Sequence, residues 1–106
     1  MSINLTQNVA LKGLELYGCG FYDNLNLSQN VNLITLYCNY NALTNLNLTN
    51  NINLEYLDCS SNFLTNLNLS QNVNLKYLFC HVNELTNLNV SGLTNMKRLI
   101  TFNNNL

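Results

Sequence analysis

Asp58, Ser60 and His81 place the functional groups of a hydrolase within one stretch of the chain. A serine nucleophile, an imidazole base and an orienting carboxylate carry out acyl transfer, provided the imidazole lies between the other two. Cys19, Cys38, Cys59 and Cys80 offer a second chemistry, as disulfides or metal ligands. Their spacings of 19, 21 and 21 residues match no zinc pattern, which brings its ligands in closely spaced pairs. A third signal is the sequon Asn-x-Ser/Thr at Asn4, Asn26, Asn47, Asn68 and Asn89, formally a glycosylation acceptor. Each reading depends on what the chain does between these residues.

The separation of 21 residues between Ser60 and His81 is the period of the whole sequence. From Leu33 the chain runs Leu33-x-x-Leu36-x-Cys38-x-x-Asn41-x-Leu43-Thr44-x-Leu46-x-Leu48-Thr49-x-Asn51. The same frame returns from Leu54 through Leu57, Cys59, Asn62, Leu64, Leu67 and Leu69 to Asn72, and again from Leu75 through Leu78, Cys80, Asn83, Leu85 and Leu88 to Val90. Upstream, Leu11, Leu14, Leu16, Cys19 and Phe21 fit a unit one residue longer, and Ile3-Asn4-Leu5-Thr6-Gln7-Asn8-Val9 matches the back half, Leu25-Asn26-Leu27-Ser28-Gln29-Asn30-Val31. The chain ends on a half-copy with Met96, Leu99, Thr101, Asn104 and Leu106. The expected organisation is one domain: a half-unit over residues 1–10, units 11–32, 33–53, 54–74 and 75–95, and a half-unit over 96–106. The composition follows from the frame, since 25 Asn and 23 Leu fill close to half of 106 positions.

The pattern L-x-x-L-x-L-x-x-N/C-x-L resembles the leucine-rich-repeat superfamily over the entire chain. More narrowly, Cys38, Cys59 and Cys80, with the tail L-T-x-L-x-L/V-S-x-N, are similar to a bacterial 21-residue subtype found in internalin J-like and Bacteroidetes-type repeat proteins; Leu16 and Thr101 depart from it. The resemblance implies a repeat solenoid with a parallel β-sheet on its concave face. A 21-residue unit leaves little room for a long convex helix, so that side should be extended or 3₁₀, with little or no α-helix. One unit cannot bury its own apolar face; units stacked ~4.8 Å apart share a core.

Stacking decides the chemistry. Leu36, Cys38 and their equivalents should point inward, and buried thiols on parallel strands behave as small hydrophobes rather than disulfide partners. Cys19 takes the place of a turn asparagine. Asn41, Asn62, Asn83 and Asn104, with Asn51 and Asn72 at a second turn, should satisfy orphaned backbone groups. Ser60 and His81 should be neighbours on the exposed face, but Ser60 then lies between His81 and Asp58, the wrong order for a triad. The sequons recur because L-N-L-S recurs. No catalytic residue, cofactor or metal ligand is expected.

The concave face carries the remaining signal. Its columns should read Gly13, Thr35, Tyr56, Tyr77, Arg98; then Glu15, Tyr37, Asp58, Phe79, Ile100; then Tyr17, Asn39, Ser60, His81, Phe102. Seven of these fifteen are aromatic or His, although aromatics are 9% of the chain. Tyr, Phe and Arg are common interface anchors, so Tyr37, Tyr56, Asp58, Tyr77, Phe79, His81, Arg98 and Phe102 are the candidate binding residues. The expected function is a non-catalytic module for a protein partner, with a glycan as the other partner class. The alternative is a structural spacer within a longer solenoid. A net charge of −1 gives no basic surplus for nucleic acid, and no apolar run reaches the length of a membrane span. Thiols without a visible signal peptide favour a reducing compartment, while the resemblance allows export. Stopping at Leu106 within a unit, the chain is expected to belong to a longer array and to self-associate through its C-terminal edge.

Overall fold

The computed structural model describes residues 1–18 and 20–106. Cys19 lies outside them, and with it the expectation that it replaces a turn asparagine. Five three-residue strands, β1 (Gly13–Glu15), β2 (Thr35–Tyr37), β3 (Tyr56–Asp58), β4 (Tyr77–Phe79) and β5 (Arg98–Ile100), form one parallel sheet in sequence order. The register is the one the repeat requires: Leu14, Leu36, Leu57, Leu78 and Leu99 are successive partners, as are Gly13, Thr35, Tyr56, Tyr77 and Arg98. The fold is a leucine-rich-repeat solenoid. Its remaining walls are extended segments and tight turns, and no helix occurs among the described residues.

Each coil closes on leucine. In the unit 54–74, Leu54, Leu57, Cys59, Leu64, Leu67 and Leu69 all point into a continuous core that runs through the stack. The back wall ends in two successive turns, with Asn51 N–H donating to Leu48 O at 3.1 Å and Leu54 N–H to Asn51 O at 3.2 Å. The same pair recurs at Asn30, Asn72 and Leu93. At the C-terminal edge the core thins: Leu99 is 40% exposed and Leu106 60%.

Asparagine side chains join the coils. Asn62 Nδ2 donates to Cys59 O of its own coil and to Cys38 O of the preceding one, both at 3.1 Å, while its Oδ1 accepts the Leu43 amide at 3.0 Å. Asn41, Asn83 and Asn104 repeat this pattern. A second column, Asn30, Asn51 and Asn72, donates to two backbone carbonyls each and leaves its buried Oδ1 unpaired. Leu93 ends that column by replacing the amide with an apolar side chain.

Directly before each Asn of the first column the backbone turns left-handed, at Tyr40 (φ 58°), Ser61 (55°), Val82 (56°) and Asn103 (55°). A β-branched residue is strained there, so Val82 is held by the turn around it. The first unit differs from its expected frame. Phe21 does not fill the Leu43 position; it is 58% exposed. Tyr22 packs on the core instead, and its amide is the one that Asn41 Oδ1 accepts. The extra residue therefore lies before Tyr22, where Gly20 adopts φ 90°.

Three substitutions separate these contributions. Leu57→Ala should cost ~2–5 kcal/mol as a cavity in a shared core, whereas the exposed Asn66→Ala should cost little; denaturant midpoints compare the two. Val82→Asn should raise the midpoint, by ~0.5–1 kcal/mol, because asparagine tolerates the left-handed conformation.

Candidate functional site

The outward strand positions of β2, β3 and β4 hold half-buried aromatic side chains. Tyr56 is their centre. Its ring lies 4.9 Å from Tyr37, 5.5 Å from Tyr77 and 5.4 Å from Phe79, centroid to centroid, with the planes tilted. Offset and tilted contacts at these distances suit the ring quadrupoles. The Arg98 guanidinium carbon lies 6.0 Å from the Phe79 centroid, at the outer reach of a cation–π contact. Asp58 lies between Tyr37 and Phe79 in the strand register. Burial first, then the neighbouring Tyr37 and Asp58, push the Tyr56 phenol above its ordinary pKa, so it is a neutral hydroxyl at physiological pH.

The expected binding residues thus fall into two groups. Tyr37, Tyr56, Asp58, Tyr77, Phe79 and Arg98 share one cluster. His81 and Phe102 stack on each other, 4.7 Å apart, beyond the strand ends. Tyr17 and Tyr40 form a further edge-to-face pair at 5.4 Å.

In the Asp58, Ser60, His81 group the serine is bonded to the carboxylate and not to the imidazole. Ser60 shares the face of Asp58, to which its hydroxyl is bonded, but it is 2% exposed rather than open to solvent. Ser60 Oγ donates to Asp58 Oδ1 at 2.6 Å, and its amide donates to the same oxygen at 3.0 Å. This local turn also forms at Asn47 and Thr49. A hydroxyl committed to the carboxylate is not presented to an imidazole, and His81 Nδ1 is buried without a hydrogen bond. The sequon asparagines Asn4, Asn26, Asn47, Asn68 and Asn89 all make the same turn.

A depression of about 420 Å³ lies on the back wall between residues 66–70 and 87–93. Similar furrows lie between residues 25–28 and 47–50 and between 45–49 and 66–68. A furrow that returns in each unit is a product of the repeat and singles out no site. On the sheet face an open depression of about 260 Å³ is lined by Glu15, Tyr17, Tyr37, Asn39 and Asp58. Glu15, Tyr17 and Asn39 belong to the expected columns but not to the expected binding set. Their signal is the acidic pair flanking Tyr37 in one column, visible only when charge and aromaticity are read together.

Cys38, Cys59 and Cys80 are fully buried and unpaired. Burial raises all three thiol pKa values, that of Cys80 to about 11 from 9.0. Among the described residues no group of three His, Cys, Asp or Glu could hold a metal ion, and no helix is long and apolar enough to cross a membrane.

No family model matches the chain, and no curated protein matches it. Among solved structures it is similar to the functional domain of InlJ from Listeria monocytogenes, which includes a cysteine ladder; the identity is 30% and the TM-score 0.87. The match covers 93% of this chain and 23% of that one, so the chain spans about a quarter of its structural relative.

In the native protein Cys38, Cys59 and Cys80 should react with a thiol reagent at pH 8 far more slowly than in denaturant, because few thiolates form and none is exposed. Mass spectrometry of the trapped protein should find no Cys38–Cys59 or Cys59–Cys80 disulfide. The raised pKa of Cys80 means that the folded state holds its proton longer. Its stabilising contribution is complete below about pH 9 and is lost as pH rises towards about 11.

Proposed function

We propose that this leucine-rich-repeat solenoid is a non-catalytic binding module whose sheet face engages a protein partner. The observation that carries the reading is the Tyr56-centred cluster, three rings packed on a fourth with Arg98 at one end. Rings already held by one another lose little conformational freedom on binding, and Tyr and Arg are the residue types that dominate interface energetics. A glycan is the other partner class that an aromatic face would suit. The committed Ser60 hydroxyl supports a non-catalytic role.

A second reading is favoured by the 23% coverage of the InlJ chain. In it these coils are a spacer within a longer solenoid, with the partner held elsewhere.

Replacing Tyr56, Tyr77 and Phe79 together by Ser should abolish partner binding while the coils stay folded. The back-wall triple Asn45→Ala, Asn66→Ala, Asn87→Ala should leave binding intact. Affinity for a crosslinked partner, measured for both variants with circular dichroism as the folding control, compares them. Loss in the back-wall variant alone would move the site to the other face, and retention in both would favour the spacer.

A further inference from the structure

Beside the aromatic cluster, towards β1, lies the depression formed by Glu15, Tyr17, Tyr37, Asn39 and Asp58. We propose that it receives a cationic side chain of the partner, a lysine or arginine, with the charge over Tyr37 and between the two carboxylates. This rests on reading the sheet face as the binding surface.

The strand register sets the geometry. Glu15 pairs with Tyr37 and Tyr37 with Asp58, so the acidic positions flank one aromatic ring on either side. They are two strand spacings apart, ~9.6 Å. A cation centred above the ring lies laterally between the two acidic strand positions, one strand spacing of ~4.8 Å from each, and the ring face itself attracts it. Tyr17 and Asn39, in the next column, wall the depression, and the Tyr17 ring gives the alkyl stem an apolar surface.

Among the described residues no cation is paired with Glu15 or Asp58. The ion pairs among the described residues are Lys76 with Glu55, at 2.7 Å, and the N-terminal ammonium with Asp23, at 3.8 Å. Arg98 lies at the opposite end of the face, over Phe79. The Asp58 turn occupies Oδ1 alone. The face is therefore polarised, with negative charge and open space at one end and a positive side chain at the other. A partner segment complementary to it carries a basic residue towards β1 and apolar or aromatic residues over Tyr56.

The test uses small probes on the isotopically labelled chain, followed by NMR. Acetyl-arginine amide and acetyl-lysine amide should give saturable shifts centred on Tyr17, Tyr37 and Asn39, and neutral acetyl-glutamine amide should not. The double variant E15Q/D58N should weaken the cationic probes about fivefold or more. Asn at position 58 keeps the local turn, as Asn47 does in its own coil, so an unchanged spectrum elsewhere confirms the fold. Equal shifts from the glutamine probe, or no saturable shift from either cation, overturns the proposal. Either result does so even where the Tyr56, Tyr77, Phe79 variant has lost its partner, since that loss bears only on the face as the binding surface and leaves it standing.

Discussion

A solenoid of 21-residue coils must hydrogen-bond the backbone of its turns, and the asparagine side chain is what makes this feasible. Strands of three residues pair only a small part of each coil. The rest turns through a leucine-lined interior, where an unpaired peptide group costs about 1–3 kcal/mol. Asn62 answers this with one amide that donates to two coils and accepts from one. Aspartate cannot donate, leucine can do neither, and glutamine carries an extra methylene. The high asparagine content is therefore a consequence of coil geometry. Where the second column gives way to Leu93, the carbonyls of Leu69 and Asn72 lose that side-chain donor, and an apolar contact takes its place.

That division of labour frees the sheet face. Leucine fills the core, asparagine secures the turns, and the outward strand positions carry neither duty. They can differ from coil to coil at no cost to the stack, and they do: Thr35, Tyr56, Tyr77 and Arg98 succeed one another at a single position. The face with the most varied chemistry also has a hydrogen-bonded parallel sheet as its backbone, a combination that suits recognition. The asparagine-lined back wall repeats itself and offers each coil the same furrow.

Period, register and inward leucines are legible in the sequence because stacking imposes them on every copy alike. The departures arise where one copy differs from the rest. Phe21 and Tyr22 exchange their expected places because an added residue shifts the frame by one and both side chains suit an inward position. Ser60 reads as exposed, yet it is buried, with its hydroxyl and amide both closed on the Asp58 carboxylate. The left-handed turn before each ladder asparagine leaves no sequence mark, since Tyr40, Ser61, Val82 and Asn103 share no chemistry. Most of the aromatic cluster is visible as columns. Its separation from the His81–Phe102 pair is not, because ring contacts depend on rotamers and on where strands end.

The asparagine bonds between coils also have a direction. Asn30 reaches back to Leu5, Asn41 to Leu16, Asn51 to Leu27, Asn62 to Cys38, Asn72 to Leu48, Asn83 to Cys59 and Asn104 to Cys80. No asparagine side chain bonds forward to a later coil among the described residues. Each coil is thus completed by the one that follows it, and a chain leaving the ribosome N-terminus first delivers those groups in the order in which they are needed. Assembly can advance coil by coil behind synthesis, with only the newest coil waiting for its partner.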